Sequence, residues 1–305
     1  MKERVISGLV IAALVVVFGL VGNSYPLAIV IMACSMIGYW ELCRACGVTD
    51  NRRAGAQEAA AVTSGEAAPN SGNSLIVLGI LLSAVYYAGL VLIQYFHSTD
   101  TQLMFHRADI LTLAVMALGF IAMMSLYVLT FPRYDSNQVM AAYFSFIYAP
   151  VMLSFVYRAR LLPYGVFVYI LIFLCSSVCD VCALAAGMMF GKHKMAPVLS
   201  PKKTIEGAVG GVAGSVASCL LVSFAVQFTD AEAHLQIPFM IIGLIGALVS
   251  MVGDLAASAI KRNHQIKDYG NLIPGHGGIM DRFDSIIFTA PLIYFMGVLL
   301  LGIAA

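Results

Sequence analysis

Between Ser258 and Asp284 the chain reads SAIKRNHQIKDYGNLIPGHGGIMDRFD, a polar stretch in a sequence that is otherwise mostly hydrocarbon. It gathers Lys261, Arg262, Lys267, Asp268, His276, Asp281, Arg282 and Asp284 around a Pro-Gly-His-Gly-Gly turn. Carboxylates are the ligands that hard divalent cations require, and clustered lysines and arginines neutralise phosphate oxygens. The combination points to metal-assisted chemistry on phosphates. Asp254 stands just before it, inside a long apolar run where an ionised carboxylate is costly and marks a functional candidate. At helical spacing Ser258, Lys261 and Arg262 share the face of Asp254. A structural ion pair reaching toward the interface is the plainer explanation of that face. Asp281 and Asp284 lie one helical turn apart, a spacing that suits a divalent cation, although carboxylates at a helix start also answer the helix dipole. Gly277 and Gly278, next to His276, permit backbone conformations that aim N–H groups at an anion.

A second segment repeats this logic. Asp180 lies within another apolar run, which leads through Lys192, His193 and Lys194 to Ser200-Pro201-Lys202-Lys203-Thr204-Ile205-Glu206-Gly207. Adjacent lysines flanked by hydroxyls can neutralise a polyphosphate, and a basic loop can equally serve membrane orientation. The glycines that follow, Gly207, Gly210, Gly211 and Gly214, have the small-residue spacing of closely packed membrane helices.

The elements that must position these residues are membrane helices. Apolar residues make up 61% of the 305 and charged residues 11%, roughly half the charge of a soluble domain. Nine apolar runs are long enough to cross a bilayer: 5–22, 26–41, 74–95, 110–131, 138–156, 164–189, 207–228, 237–260 and 286–304. Backbone groups in lipid must be satisfied within each span, so the expected fold is all-α, a polytopic integral membrane helical bundle of about nine transmembrane helices. It reads as a single membrane domain, with N-terminal spans over 1–160 and the motif-bearing spans over 164–305. With the N-terminus cytoplasmic, 14 of the 17 lysines and arginines fall in inside segments. That bias places both charged loops, 190–206 and 261–285, on the cytoplasmic side. The opening MKER and its apolar run resemble a signal peptide, but no small-residue cleavage site follows, which favours an uncleaved first span. Residues 42–73, rich in Ala, Gly, Ser and Asn, read as a flexible loop. Cys43-x-x-Cys46 lacks the second pair that a zinc site would need, and Cys175, Cys179 and Cys182 read as small residues at a helix contact.

The signature S-x-x-K-R-x4-K-D-x-G-x2-(apolar)-P-x-H-G-G-(apolar)-x-D-R-(apolar)-D is matched at every fixed position from Ser258 to Asp284. With the SPKKT-x-EG element at 200–207, it makes the chain resemble phosphatidate cytidylyltransferases, also called CDP-diacylglycerol synthases. Met188 and Ile205 depart from the family pattern, which usually has an arginine and an aromatic there. The resemblance implies transfer of CMP from CTP to phosphatidic acid, giving CDP-diacylglycerol and pyrophosphate. It further implies Mg2+, a second cation site, a homodimer among membrane lipids, and no nucleic-acid partner. Asp254 and Asp281 are the implied metal ligands, with Asp284 or Asp268 completing the shell. Lys261, Arg262, Lys267 and Arg282 would bind the triphosphate and the lipid phosphate, and His276, Gly277 and Gly278 would position phosphate. Asp180, Ser200, Lys202, Lys203, Thr204, Glu206 and Ser258 would contact substrate.

Two rivals stand beside this reading. A secondary transporter would use Asp180 and Asp254 as ion relays, but the remaining charges sit in loops rather than along a midplane path. A CTP-dependent lipid kinase would release CDP instead of pyrophosphate. The D-G-x-x-A-R motif of CDP-alcohol phosphotransferases does not occur.

Overall fold

Hydrocarbon offers no partner to a peptide N–H or C=O, and in the computed structural model this chain solves the problem almost entirely with helices. The structure describes residues 19, 24–48, 73–97, 100–232, 234–272 and 277–301. The helices are α1 (Tyr25–Ala45), α2 (Ser74–His97), α3 (Thr101–Leu129), α4 (Ser136–Phe146), α5 (Met152–Arg160), α6 (Gly165–Phe173), α7 (Cys179–Phe190), α8 (Ile205–Thr229), α9 (Gln236–Asn263), α10 (Met280–Phe283) and α11 (Ile286–Leu300). A short hairpin of β1 (Lys194–Ala196) and β2 (Ser200–Thr204) is the one sheet among the described residues.

π-helical turns at Ile147–Val151 and Leu174–Val178 join α4 to α5 and α6 to α7 into continuous rods. Pro150, which has no N–H to donate, sits in the first of them. Counting each rod once, seven described helices are long and apolar enough to cross a membrane, and α11 is a shorter apolar helix. The protein is therefore a polytopic helical membrane bundle. The expected span 5–22, and residues 49–72 of the expected loop, lie outside the described residues. One boundary moves: the span expected from 110 begins at Thr101. Asp100 accepts a hydrogen bond from the Leu103 N–H at 3.0 Å and caps a first turn too polar for hydropathy to register.

The chain divides into two compact units, residues 32–151 and residues 1–31 with 152–305. In the first, α2 packs on α3, with the Tyr86 hydroxyl 3.0 Å from the Thr112 hydroxyl, and the Tyr87 and Ser35 hydroxyls lie 2.7 Å apart. All the signature residues belong to the second. There α8 packs between α7 and α9, and α11 packs against α5 and α9.

The α7–α8 contact rests on missing side chains. A Cβ on Gly211 would come within 2.9 Å of the Cys179 carbonyl oxygen, and one on Gly207 within 3.4 Å of the Gly187 Cα. Cys175, Cys179 and Cys182 fill the gaps opposite the glycines of α8 and α9, so the cysteines and the G-x-x-x-G spacings serve helix contact as their composition suggests. Replacing Gly211 by Val should lower stability by about 1–3 kcal/mol through overpacking, seen as a lower Tm of the detergent-purified protein.

Candidate active site

The hairpin supplies the first charged group. Strands β1 and β2 pair antiparallel, Lys194 opposite Thr204 and Ala196 opposite Ser200, where the sequence suggested only a loop. Successive strand residues face opposite sides. Lys203 turns to α9 and forms an ion pair with Asp254, while Lys202 is exposed. Thr204 ends the hairpin and caps α8, its hydroxyl accepting from the Gly207 N–H at 3.1 Å. The Glu206 carboxylate accepts from the Lys192 N–H at 3.1 Å and the His193 N–H at 3.2 Å, and it lies 2.6 Å from the His193 Nδ1. Thr204 and Glu206, expected to touch substrate, thus tie the hairpin to the helix start.

Helix α9 carries Asp254, Ser258, Lys261 and Arg262 along its last turns. Gln265, in the left-handed conformation at φ 55°, ends it, with the Ile266 N–H returning to the Lys261 carbonyl at 2.9 Å. Lys261 reaches across to α10, where its Nζ lies 2.9 Å from Asp281 Oδ1. The other Asp281 oxygen, Oδ2, accepts from the Tyr269 N–H at 2.8 Å and the Gly278 N–H at 3.0 Å. The glycine turn therefore presents an amide to an anion as its composition suggests, but that anion is the chain's own Asp281. Gly277 takes φ 83°, and a Cβ there would fall 2.7 Å from Asp281 Oδ2, so both the conformation and the space call for glycine.

Asp281 and Asp284 have different neighbours despite standing one turn apart. Asp284 caps the end of α10 and accepts from the Ser285 N–H at 2.8 Å. Burial, reinforced by the charge of Asp254, pushes its carboxyl up to about 6. Its backbone carbonyl lies against Gly253, where a Cβ would approach within 2.9 Å. That close approach brings the start of α11 beside Asp254. Gly253 and Tyr269 are two residues beside these carboxylates that motif reasoning missed. Nothing in the pattern marks Gly253, whereas one aromatic in a polar loop is a visible signal.

Asp180, Ser200, Lys202 and Lys203 line a cavity of about 510 Å³ whose other walls include Leu184, Met188, Met195 and Met251. The departure at residue 188 therefore places a thioether on this wall. Arg262, Lys267, Asp268 and Arg282 are exposed around the signature loop, and Ser258 is half-buried. His276 lies outside the described residues. Among the described residues, no three acidic, His or Cys side chains converge closely enough to enclose a metal ion by themselves.

These elements bring carboxylates and lysines together at the ends of apolar helices. The family model described as "Cytidylyltransferase family" matches residues 2–300, and the chain belongs to that family. A phosphatidate cytidylyltransferase of Synechocystis is 43% identical over 141 residues, 46% of each chain. Proteins of the same name from Staphylococcus saprophyticus and Staphylococcus aureus are 36% identical over 187 residues and 37% identical over 183. Those alignments cover 61% and 59% of this chain, and 68% and 66% of the relatives. The aligned part thus spans under half of the Synechocystis protein and about two thirds of the staphylococcal ones.

The Asp281 side chain is 3% exposed and that of Lys261 14%, so removing one partner strands a buried charge. Lys261→Met should cost about 3 kcal/mol, and adding Asp281→Asn should restore part of that loss. Thermal unfolding of the two variants beside the parent checks both.

Proposed function

We propose that the protein transfers CMP from CTP to phosphatidic acid, releasing pyrophosphate and leaving CDP-diacylglycerol in the membrane. The observation that carries this reading is the pairing of Lys203 with Asp254 and of Lys261 with Asp281, three residues of the two family motifs and the carboxylate that stands just before the longer one. Lys203 also lines a cavity with charged groups on one part of its wall and apolar side chains on the rest. A lipid phosphate needs both surfaces.

The chemistry asks little of a base. At neutral pH the lipid phosphate is already ionised, and one of its oxygens attacks the α-phosphorus of CTP. As that O–P bond forms, the bond from the α-phosphorus to the bridging oxygen breaks, and its electron pair leaves on pyrophosphate. The obstacle is repulsion between two anions, so neutralisation and in-line placement supply most of the acceleration. Lys203 and Lys261 would turn from their carboxylates to phosphate oxygens. Exposed Lys202, Arg262, Lys267 and Arg282 surround the approach.

Magnesium fits the donor set. It takes one or two protein carboxylates and leaves its other positions to phosphate and water. Asp254, Asp281 and Asp284 are the proposed holders, one or two of them binding the ion directly. Asp281 is already neutralised by Lys261, whereas Asp284 is raised by burial and by Asp254, a strain that a cation would relieve. When bound, the ion would neutralise phosphate charge as a Lewis acid. A second cation and a homodimer are proposed on the family resemblance. The cytoplasmic facing of the site is proposed on the bias of 14 among 17 basic residues.

The deciding assay gives purified protein labelled CTP and phosphatidic acid. A lipid-soluble cytidine product with pyrophosphate, stopped by a chelator, is expected. Release of CDP would make the protein a lipid kinase instead. Asp281→Asn should abolish turnover in protein that still purifies in its parental oligomeric state, though with a lower Tm because Lys261 loses its partner; normal magnesium-dependent rates in that variant would remove Asp281 from the site.

The pH dependence of the metal has a sign. Asp284 titrates near 6 in the folded, metal-free chain, above its usual value, so its ionised form weakens the fold as pH rises through that range. Magnesium should therefore raise Tm at pH 8 and do little at pH 5, and Asp284→Asn should shrink the difference. A magnesium shift equal at both pH values would exclude Asp284 as a ligand.

A further inference from the structure

We propose that Tyr269, which occupies a position the signature leaves free, is the positioning residue of the signature loop. It holds Lys261 and Asp281 in their places, and the proposal rests on the cytidylyltransferase reading of that pair. Between α9 and α10 the loop is mostly polar and exposed. Within residues 264–272 Tyr269 alone is buried, at 4% exposure, while the other large apolar side chains are half-buried (Ile266) or 59% exposed (Leu272).

This one residue touches three different parts of the site. Its hydroxyl donates to the Ala257 carbonyl on α9 at 3.0 Å. Its ring lies under the Lys261 ammonium, 5.3 Å from Nζ to the ring centroid, within the range of a cation–π attraction. Its own N–H donates to Asp281 Oδ2 at 2.8 Å. Lys261 and Asp281 lie on separate helices joined by a long loop, and their pairing depends on how that loop is pinned. An aromatic face steadies a lysine without adding a counter-charge, so a phosphate would compete for the ammonium with Asp281 alone. A second carboxylate in the same place would have competed with that phosphate.

The roles of ring and hydroxyl can be separated. Tyr269→Phe keeps the ring and the N–H and loses one neutral hydrogen bond. Tyr269→Leu keeps apolar volume and loses the aromatic face as well. Tyr269→Leu should lower kcat by about 10-fold or more, with the KM for phosphatidic acid little changed, and Phe should restore most of the loss. In a Lys261→Gln background the same Leu substitution should cost less than about 3-fold, because the residue it acts through is gone. Loss of the full factor in that background would overturn the proposal, and so would equal activity of the Phe and Leu variants.

A second measurement needs no turnover. Hydrogen exchange of the segment 264–283 in the purified protein should accelerate in Tyr269→Leu at the Tyr269 and Gly278 amides and stay near parental in Tyr269→Phe. Unchanged exchange in the Leu variant would also overturn the proposal. A parent that makes no lipid-soluble cytidine product would sink the catalytic reading instead, and the exchange data would still judge Tyr269.

Discussion

A carboxylate held in a hydrocarbon bundle needs a positive charge beside it, and that constraint organises the motif-bearing half of this protein. Asp254 meets it with Lys203 and Asp281 with Lys261. Each pair joins two separate elements: the hairpin with α9, and α9 with α10. Taking such charges out of water is expensive, and their mutual attraction recovers the cost only with good geometry and further hydrogen bonds. Asp281 has that support in the amides of Tyr269 and Gly278. Asp284 has no ion-pair partner among the described residues, and its raised carboxyl marks where positive charge is still wanted.

The apolar framework exists to bring these groups together without a polar scaffold. Helices α7, α8 and α9 approach closely because glycine and cysteine stand where larger side chains would collide. Gly253 lets the start of α11 come against α9, bringing Asp284 beside Asp254. The π turn at Leu174–Val178 precedes Asp180 and adds a residue to its turn, which rotates the face that Asp180 presents relative to α6. Packing between membrane helices has little hydrophobic drive, so close backbone approach supplies much of the association.

On the proposed reading, ionic pairing and substrate binding draw on the same residues. A lysine that neutralises a carboxylate in the substrate-free protein is the lysine a phosphate would recruit. Metal and phosphate would then replace the charges they displace, and the site need never expose an isolated ion to lipid. This accounts for a site built from pairs rather than from a nucleophile and its base. A reaction whose reactants are already ionised asks for charge balance above all.

The sequence by itself determined the class, the spans and the motif residues. Apolar runs, basic-residue bias and an unbroken signature are one-dimensional signals, and eight of the nine expected spans coincide with described helices. It missed the polar first turns of α3, because a hydropathy window cannot see the Asp100 cap. It placed Asp281 and Asp284 one helical turn apart, and only the tertiary structure gave them different neighbours. Thr204 and Glu206 stand in its motif as candidate substrate contacts, and folding also gives both a local task, Thr204 capping α8 while lining the cavity and Glu206 holding the Lys192 and His193 amides. Partner choice among charged groups is settled by which backbones can approach within a few ångströms, and spacing along the chain does not contain that information.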